Sequence, residues 1–407
     1  MTKTKALLIT ILTPLFIFTH AEAVAQQFES PPTVSARSIL GADAQGSNYQ
    51  IDEAVRSDGF VRIFTLVTKY GRFQVEGRDL LKERLREMAA LATLEQTDKS
   101  KAYTDAAAKA AKSPVTFAKN LVNDPGGTMD QTVSGVGAFF NRVTSGVKNV
   151  GKDRDDVTDS ALGVSSAKRQ IAVRLGVDPY TDFKPLADAL NEMARVTALG
   201  DLSISGVFMV IPGGAGMAVS YSRTGQSVGE MVRDKTPAEL REINRARLAE
   251  MKVPSANINA FLDNKFFTPS DQTIIVAALT QMNGVNNRQA FVVRASQVTD
   301  RALAYFQRRR AELLADHHRR VEPIVEFINA GWVPLNRTRG SRTLLLFPMD
   351  GLAWTKATSD VVVSIDHELR QRNLAGSVEV RISGMATPVV RDNLRRMKWN
   401  LVENIDP

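Results

Sequence analysis

Residues 343–405 read TLLLFPMDGLAWTKATSDVVVSIDHELRQRNLAGSVEVRISGMATPVVRDNLRRMKWNLVENI, and their alternation sets the fold of the C-terminal part of the chain. Thr343 to Phe347 is an apolar run of strand length, Ser359 to Arg372 has helical periodicity, and Ser377 to Ser383 alternates apolar and polar residues as a strand does. Thr387 to Lys398 is a second helix, opened by threonine and proline, and Leu401 to Ile405 is a third strand. The order β-α-β-α-β predicts parallel strands joined by right-handed crossovers, a small α/β module. Such modules bind ligands beyond the carboxyl ends of their strands. Asp350, Ser383, Gly384 and Thr387 fall at that end and form the candidate ligand crevice. A helix N-terminus beside hydroxyls suits a small anion, although Asp350 itself repels one unless a cation intervenes. The same residues have structural uses: Asp350-Gly351 and Gly384 make turns, and Thr387 caps a helix.

Working back toward the N-terminus, Arg288 to Ile328 reads as a long helix, kinked or ended near Pro323, and it holds the densest positive charge. Arg308, Arg309, Arg310, Arg319 and Arg320 are the candidate anionic-surface patch, with a solvated helix face as the structural alternative. Thr236-Pro237-Ala238-Glu239 and Thr268-Pro269-Ser270-Asp271 are two helix starts with a capping residue and proline at the first helical position, which hint at a repeated helix pair.

Val196 to Ser222, VTALGDLSISGVFMVIPGGAGMAVSYS, has a single formal charge, Asp201. Three readings fit it: a buried hairpin, a membrane-inserted segment, and a phosphate cradle. Pro212-Gly213-Gly214 interrupts any single helix, and serines lie on both sides, so the buried hairpin is expected. The cradle fails because no Gly-Lys-Ser/Thr follows. Pro185 to Leu199 feeds this stretch as a helix with Leu186, Leu190 and Met193 on one face. Further upstream, Val133, Val136, Phe140, Val143, Val147 and Val150 recur at spacings of three and four, an amphipathic helix whose glycines require a surface to form against.

Phe60 to Val67 and Arg72 to Glu76 are β-branched and aromatic runs joined by a turn ending in Gly71, a hairpin signal. A helix follows from Arg78, with Leu81, Leu85, Met88 and Ala92 as its apolar stripe and Lys82, Glu83, Arg86 and Glu87 on the remainder. Gln26 to Gly46 lacks periodicity and reads as a flexible leader.

The first residues supply a compartment. Lys3 and Lys5, an apolar core from Ala6 to Phe18 and Ala23-Val24-Ala25 have the order of a cleaved signal peptide, so export to a periplasm or beyond is expected. Cysteine is absent, which excludes disulfides, thiolate catalysis and zinc–thiolate sites. Cleavage removes Lys3, Lys5 and Glu22, so the formal charge of +8 falls by two and rises by one, to +7. That balance suits another protein, a cell-wall polymer or an anionic membrane surface, and export argues against nucleic acid. Beyond the signal peptide the histidines are His317, His318 and His367. Asp316-His317-His318 and Asp366-His367-Glu368 are adjacent residues that point apart on a helix, and no HExxH spacing occurs, so neither metal nor cofactor is expected. A G-x-S-x-G elbow is also missing.

The 407 residues, 43% hydrophobic and 24% charged, have ordinary globular composition and exceed what one core organises. The expected organisation is a signal peptide (1–25), a leader (26–46), a hairpin-plus-helix unit (47–112), a Gly/Ser/Val-rich amphipathic region (113–176), a helical domain (177–335) and the α/β module (336–407). The fold class is α+β, predominantly helical. The expected function is a non-catalytic, envelope-associated binding or structural protein, with a hydrolase or small-anion-binding protein using the C-terminal crevice as the alternative.

Overall fold

The computed structural model describes residues 28–98, 105, 136, 162–199, 223–330 and 333–405. The signal peptide, the apolar stretch 202–221 and the amphipathic run 133–150, apart from Val136, lie outside them.

Among the described residues the chain is α+β and predominantly helical. Its N-terminal sheet is built around β4 (Arg62–Thr68), which pairs antiparallel with β2 (Tyr49–Ile51), β3 (Ala54–Ser57) and β5 (Gly71–Glu76). Gly71 closes the β4–β5 turn at φ +133°, a backbone geometry that other residues rarely adopt. Phe64, Leu66 and Val75 project inward against Leu81, Met88, Leu91 and Leu94 of α2 (Arg78–Asp98). The other side of α2 is not solvated as its charges suggest: Glu83, Arg84 and Glu87 are buried beneath the following helices.

The leader is structured rather than flexible. β1 (Val34–Ser35) pairs with β3, and Ser35 caps α1 (Ala36–Leu40), whose Ala36 is completely buried. The cause is local: a serine cap and a short strand need little sequence to form, and a neighbouring sheet edge was waiting to be paired.

The helical layer comprises α3 (Leu162–Leu175), α4 (Lys184–Leu199), α5 (Arg223–Asp234), α6 (Pro237–Glu250), α7 (Ser255–Leu262), α8 (Pro269–Gln281), α9 (Gln289–Ala295) and α10 (Arg301–Arg320). Leu186, Leu190 and Met193 form the buried face of α4. Thr236 and Thr268 each close a reciprocal capping box with the third helical residue. The helices they start are unlike: α8 is buried along most of its length, whereas α6 buries Leu240, Asn244 and Leu248.

The expected long helix over 288–328 is instead α9, α10 and a strand. Asp300 caps α10 through the N–H of Leu303, and Pro323, which has no N–H to continue a helix, precedes β6 (Ile324–Ala330). β6 and β7 (Val333–Thr338) form an antiparallel hairpin. The hairpin extends the parallel trio β8 (Thr343–Phe347), β10 (Val378–Ile382) and β12 (Asn400–Val402) into one sheet of order β12-β10-β8-β7-β6. The trio is linked by α11 (Lys356–Gln371) and α12 (Pro388–Arg396), in the predicted β-α-β-α-β order. Beyond β8 and β10 the chain forms a short parallel ladder, β9 (Gly351–Leu352) with β11 (Met385–Ala386).

Beside two smaller clusters around Val228 and Ala194, two large hydrophobic cores result among the described residues. One joins α7–α10 to the C-terminal sheet and takes in Phe60 and Val61, while the other fills the space between the N-terminal sheet, α2, α3 and α4. α10 serves both: Tyr305 belongs to the second core, and Leu303, Phe306 and Leu314 to the first.

Candidate functional site

The loops after β8 and β10 meet at the carboxyl end of the parallel strands, as the module's topology requires. Gly384 makes this contact possible, because a Cβ there would lie 2.4 Å from the carbonyl oxygen of Asp350. Ser383 Oγ donates to the carbonyl of Met349 at 3.0 Å, and the Gly384 N–H does so at 2.9 Å. The crevice residues are therefore brought together, and their polar atoms are engaged by the chain itself.

Asp350 is buried, and each of its carboxylate oxygens accepts one backbone N–H from the N-terminal unit. Oδ1 takes that of Arg62 at 2.8 Å and Oδ2 that of Arg78 at 2.7 Å. Arg78 is the first residue of α2, so Asp350 caps that helix from a distant part of the chain and sits at the positive end of its dipole. Burial pushes the carboxyl up to about 6, against the lowering effect of the Arg62 N–H, the Arg62 charge and the Arg78 N–H.

Thr387 caps α12 through the N–H of Val390 at 3.3 Å and donates its hydroxyl to Glu29. Glu29 also accepts the N–H of Trp354 at 2.5 Å, and its own N–H bonds to the Trp354 carbonyl at 3.0 Å. A segment expected to be flexible leader is thus strapped across the crevice. Further bonds tie the same face to the N-terminal sheet: Ser57 Oγ donates to Gly351 O at 3.1 Å, and Ala353 N–H donates to Gly59 O at 2.9 Å. The ligand end of the α/β module is the docking face for the N-terminal unit.

An open cavity of about 170 Å³ remains at the rim, between Pro32 and Val34 on one side and Leu352, Met385 and Ala386 on the other. Arg62 crosses it. Its side chain lies over Gly351, where a Cβ would come within 2.9 Å of Arg62 Cγ. Glu29 and Arg62 were missed in the sequence, although each gave a signal. Glu29 is the single carboxylate between Gln26 and Gly41, and Arg62 is the one charge in FVRIFTLV.

The five arginines do not form one exposed patch. Consecutive positions on a helix turn by about 100°, so Arg308, Arg309 and Arg310 leave α10 in three directions. Arg308 is buried and pairs with Asp271 at 3.2 Å, and Arg309 pairs with Asp79 at 3.3 Å and with Glu312. Arg310 is buried with the ring of Phe347 4.5 Å from its guanidinium, and it donates to the carbonyls of Leu346 and Pro334. Burial alone lowers it to about 9. Arg319 is paired with Asp316, and Arg320, at 61% side-chain exposure, is the one that faces water most freely.

A second polar cluster, unread in the sequence, surrounds the turn between α3 and α4. Asp178 accepts the hydroxyls of Thr268 and Ser270, both at 2.7 Å. Thr181 donates to Glu87, and Asp182 pairs with Arg84 at 2.7 Å and Arg301 at 3.0 Å. Burial, then the charge of Asp271, pushes Asp178 up, and burial pushes Glu87 up to about 7. Every group here bonds to another element of the chain, which gives the cluster a pinning role.

The histidines stand apart. Burial lowers His317 to about 4, and His318 Nδ1 accepts the N–H of Ile324 at 3.0 Å. Among the described residues no three His, Asp or Glu side chains gather in a metal-binding arrangement. Comparison with protein-family models, curated proteins and solved structures finds no match to the chain.

Proposed function

We propose that the chain is exported, loses residues 1–25 and acts in the cell envelope as a non-catalytic binding or structural protein. The observation that supports this is the use made of the strand-end crevice. Asp350 holds two backbone N–H groups, Ser383 a carbonyl, and Thr387 a helix start and Glu29. The Ser383 hydroxyl is committed to a carbonyl, and each oxygen of the Asp350 carboxylate already accepts a backbone N–H, so the polar groups of the crevice are engaged within the chain itself. These groups serve to join the N-terminal unit to the C-terminal module. The positive excess of the mature chain favours an acidic polymer, an anionic lipid surface or an acidic protein as partner.

The test is to express the chain with its own leader in a Gram-negative host and to fractionate the cells. The expected mature N-terminus is Gln26, in material that stays with the envelope at low ionic strength. Salt on the order of 0.5 M, where screening lengths fall to a few ångströms, should release it. An intact Met1 in the cytosolic fraction would overturn the export reading. Envelope retention unaffected by salt would overturn the electrostatic one.

A further inference from the structure

We propose that the cavity at the rim of the crevice is a binding site for a carboxylate carried on a short apolar chain. Its walls are apolar: Pro32 and Val34 from the N-terminal segment, and Leu352, Met385 and Ala386 from the β9–β11 ladder. Its polar lining is Ser57, Arg62 and Thr387. The two hydroxyls are already spent, because Ser57 Oγ donates to Gly351 O and accepts the Gly59 N–H, and Thr387 Oγ1 donates to Glu29 and accepts the Val390 N–H.

Arg62 differs from both. Among the described residues no carboxylate forms an ion pair with its guanidinium, although two lie nearby. Asp350 accepts the backbone N–H groups of Arg62 and Arg78 and feels the Arg62 charge without a hydrogen bond from its guanidinium, and Glu29 accepts from Trp354 and Thr387. A planar cation with unused donors, at the edge of an apolar hollow, recognises a carboxylate with a hydrocarbon tail. Gly351 is part of the construction, since a side chain there would push Arg62 aside.

Size narrows the ligand. A volume of about 170 Å³ is close to the roughly 150 Å³ of an apolar protein cavity that accepts benzene, room for a group of a few carbon atoms and its carboxylate. Two sources supply that chemistry: a free short-chain monocarboxylic acid, and the C-terminal residue of a peptide ending in an apolar side chain. Met385 is half exposed on the rim, where the rest of a peptide would leave the cavity.

The site belongs to the folded chain whatever its compartment, so its failure leaves the export proposal standing and the reverse also holds. The experiment is titration calorimetry on the mature chain with pentanoate, pentanamide, Ala-Ala-Leu and the C-terminal amide of Ala-Ala-Leu. The acids are expected to bind at least about tenfold more tightly than their amides, and Arg62→Gln to remove that preference. Binding of both acids identifies a site that a free acid suffices to fill. Binding of the peptide acid alone identifies the peptide terminus as the ligand. Equal affinity for acid and amide, or no binding of either acid at concentrations on the order of 10 mM, overturns the proposal. The acid–amide comparison needs no variant, so a failure of Arg62→Gln to fold leaves the test intact.

Discussion

Asp350 binds its proton more tightly in the folded chain, at about 6, than in the unfolded one, at 3.8. Its contribution to stability is therefore fully present below about pH 3.8 and lost as the pH rises through 6. At about 1.4 kcal/mol per pH unit, the buried charge costs on the order of 3 kcal/mol above that window. His317 has the opposite sign. Burial holds it down at about 4, so its contribution is present above 6.5 and lost as the pH falls through 4. A stability curve of the wild type mixes the two, and a comparison with Asp350→Asn separates them. The amide carries no charge, but it keeps one acceptor oxygen for two N–H donors, which costs about 1–3 kcal/mol at any pH. The variant is expected to trail the wild type by more at pH 4.5 than at pH 8, read from denaturant midpoints at the two pH values. A deficit that stays constant or widens at pH 8 would show that burial does not govern this carboxyl.

At the scale of elements, the turn from Gly176 to Phe183 does more than join α3 to α4. Asp178 reaches the start of α8, Thr181 reaches Glu87 of α2, and Asp182 reaches Arg84 of α2 and Arg301 of α10. Asp178→Ala strands the buried hydroxyls of Thr268 and Ser270 and the half-buried N–H of Tyr180. A loss of about 2–4 kcal/mol is expected in urea unfolding with the slope unchanged. A loss below about 0.5 kcal/mol, the range of ordinary surface substitutions, would mean that the turn pins nothing. This cluster was not legible in the sequence because its partners lie about ninety positions apart or more, and charge patterning reports neighbours along one helix. Periodicity succeeded where packing is local. The parallel strands β8, β10 and β12 and their two crossovers, the β4–β5 hairpin and the buried face of α4 all appear at or near their expected positions. It failed for β6 and β7, where IVEF follows directly on a helical run and the proline between them reads equally as a kink or an end. It failed for the arginines as well, since consecutive charges on a helix look like one patch in a sequence and face three ways in space.

For the whole molecule, the two hydrophobic cores are held together along α10 and across the crevice. Across the crevice, hydrogen bonds add to the burial of Phe60 and Val61 in the C-terminal core: Arg62 and Arg78 N–H to Asp350, Ala353 N–H to Gly59 O, Ser57 Oγ to Gly351 O, and the strap at Glu29. Of these the strap is the easiest to release, because Phe28 and Ser30 on either side of Glu29 are exposed and, beside the carboxylate, the segment is held by the Glu29 N–H to Trp354 O bond and by backbone continuity with β1. Without the Glu29 carboxylate, the Trp354 N–H and the Thr387 hydroxyl lose their acceptor, and local opening should precede global unfolding. Glu29→Ala is therefore expected to accelerate hydrogen exchange at the Trp354 amide by about tenfold or more, equivalent to about 1.4 kcal/mol of local stability. Protection of the β8 and β10 amides should stay close to that of the wild type. Acceleration spread evenly over both sheets would make the strap part of one cooperative unit. Unchanged exchange at Trp354 would mean that Glu29 does not close the crevice at all.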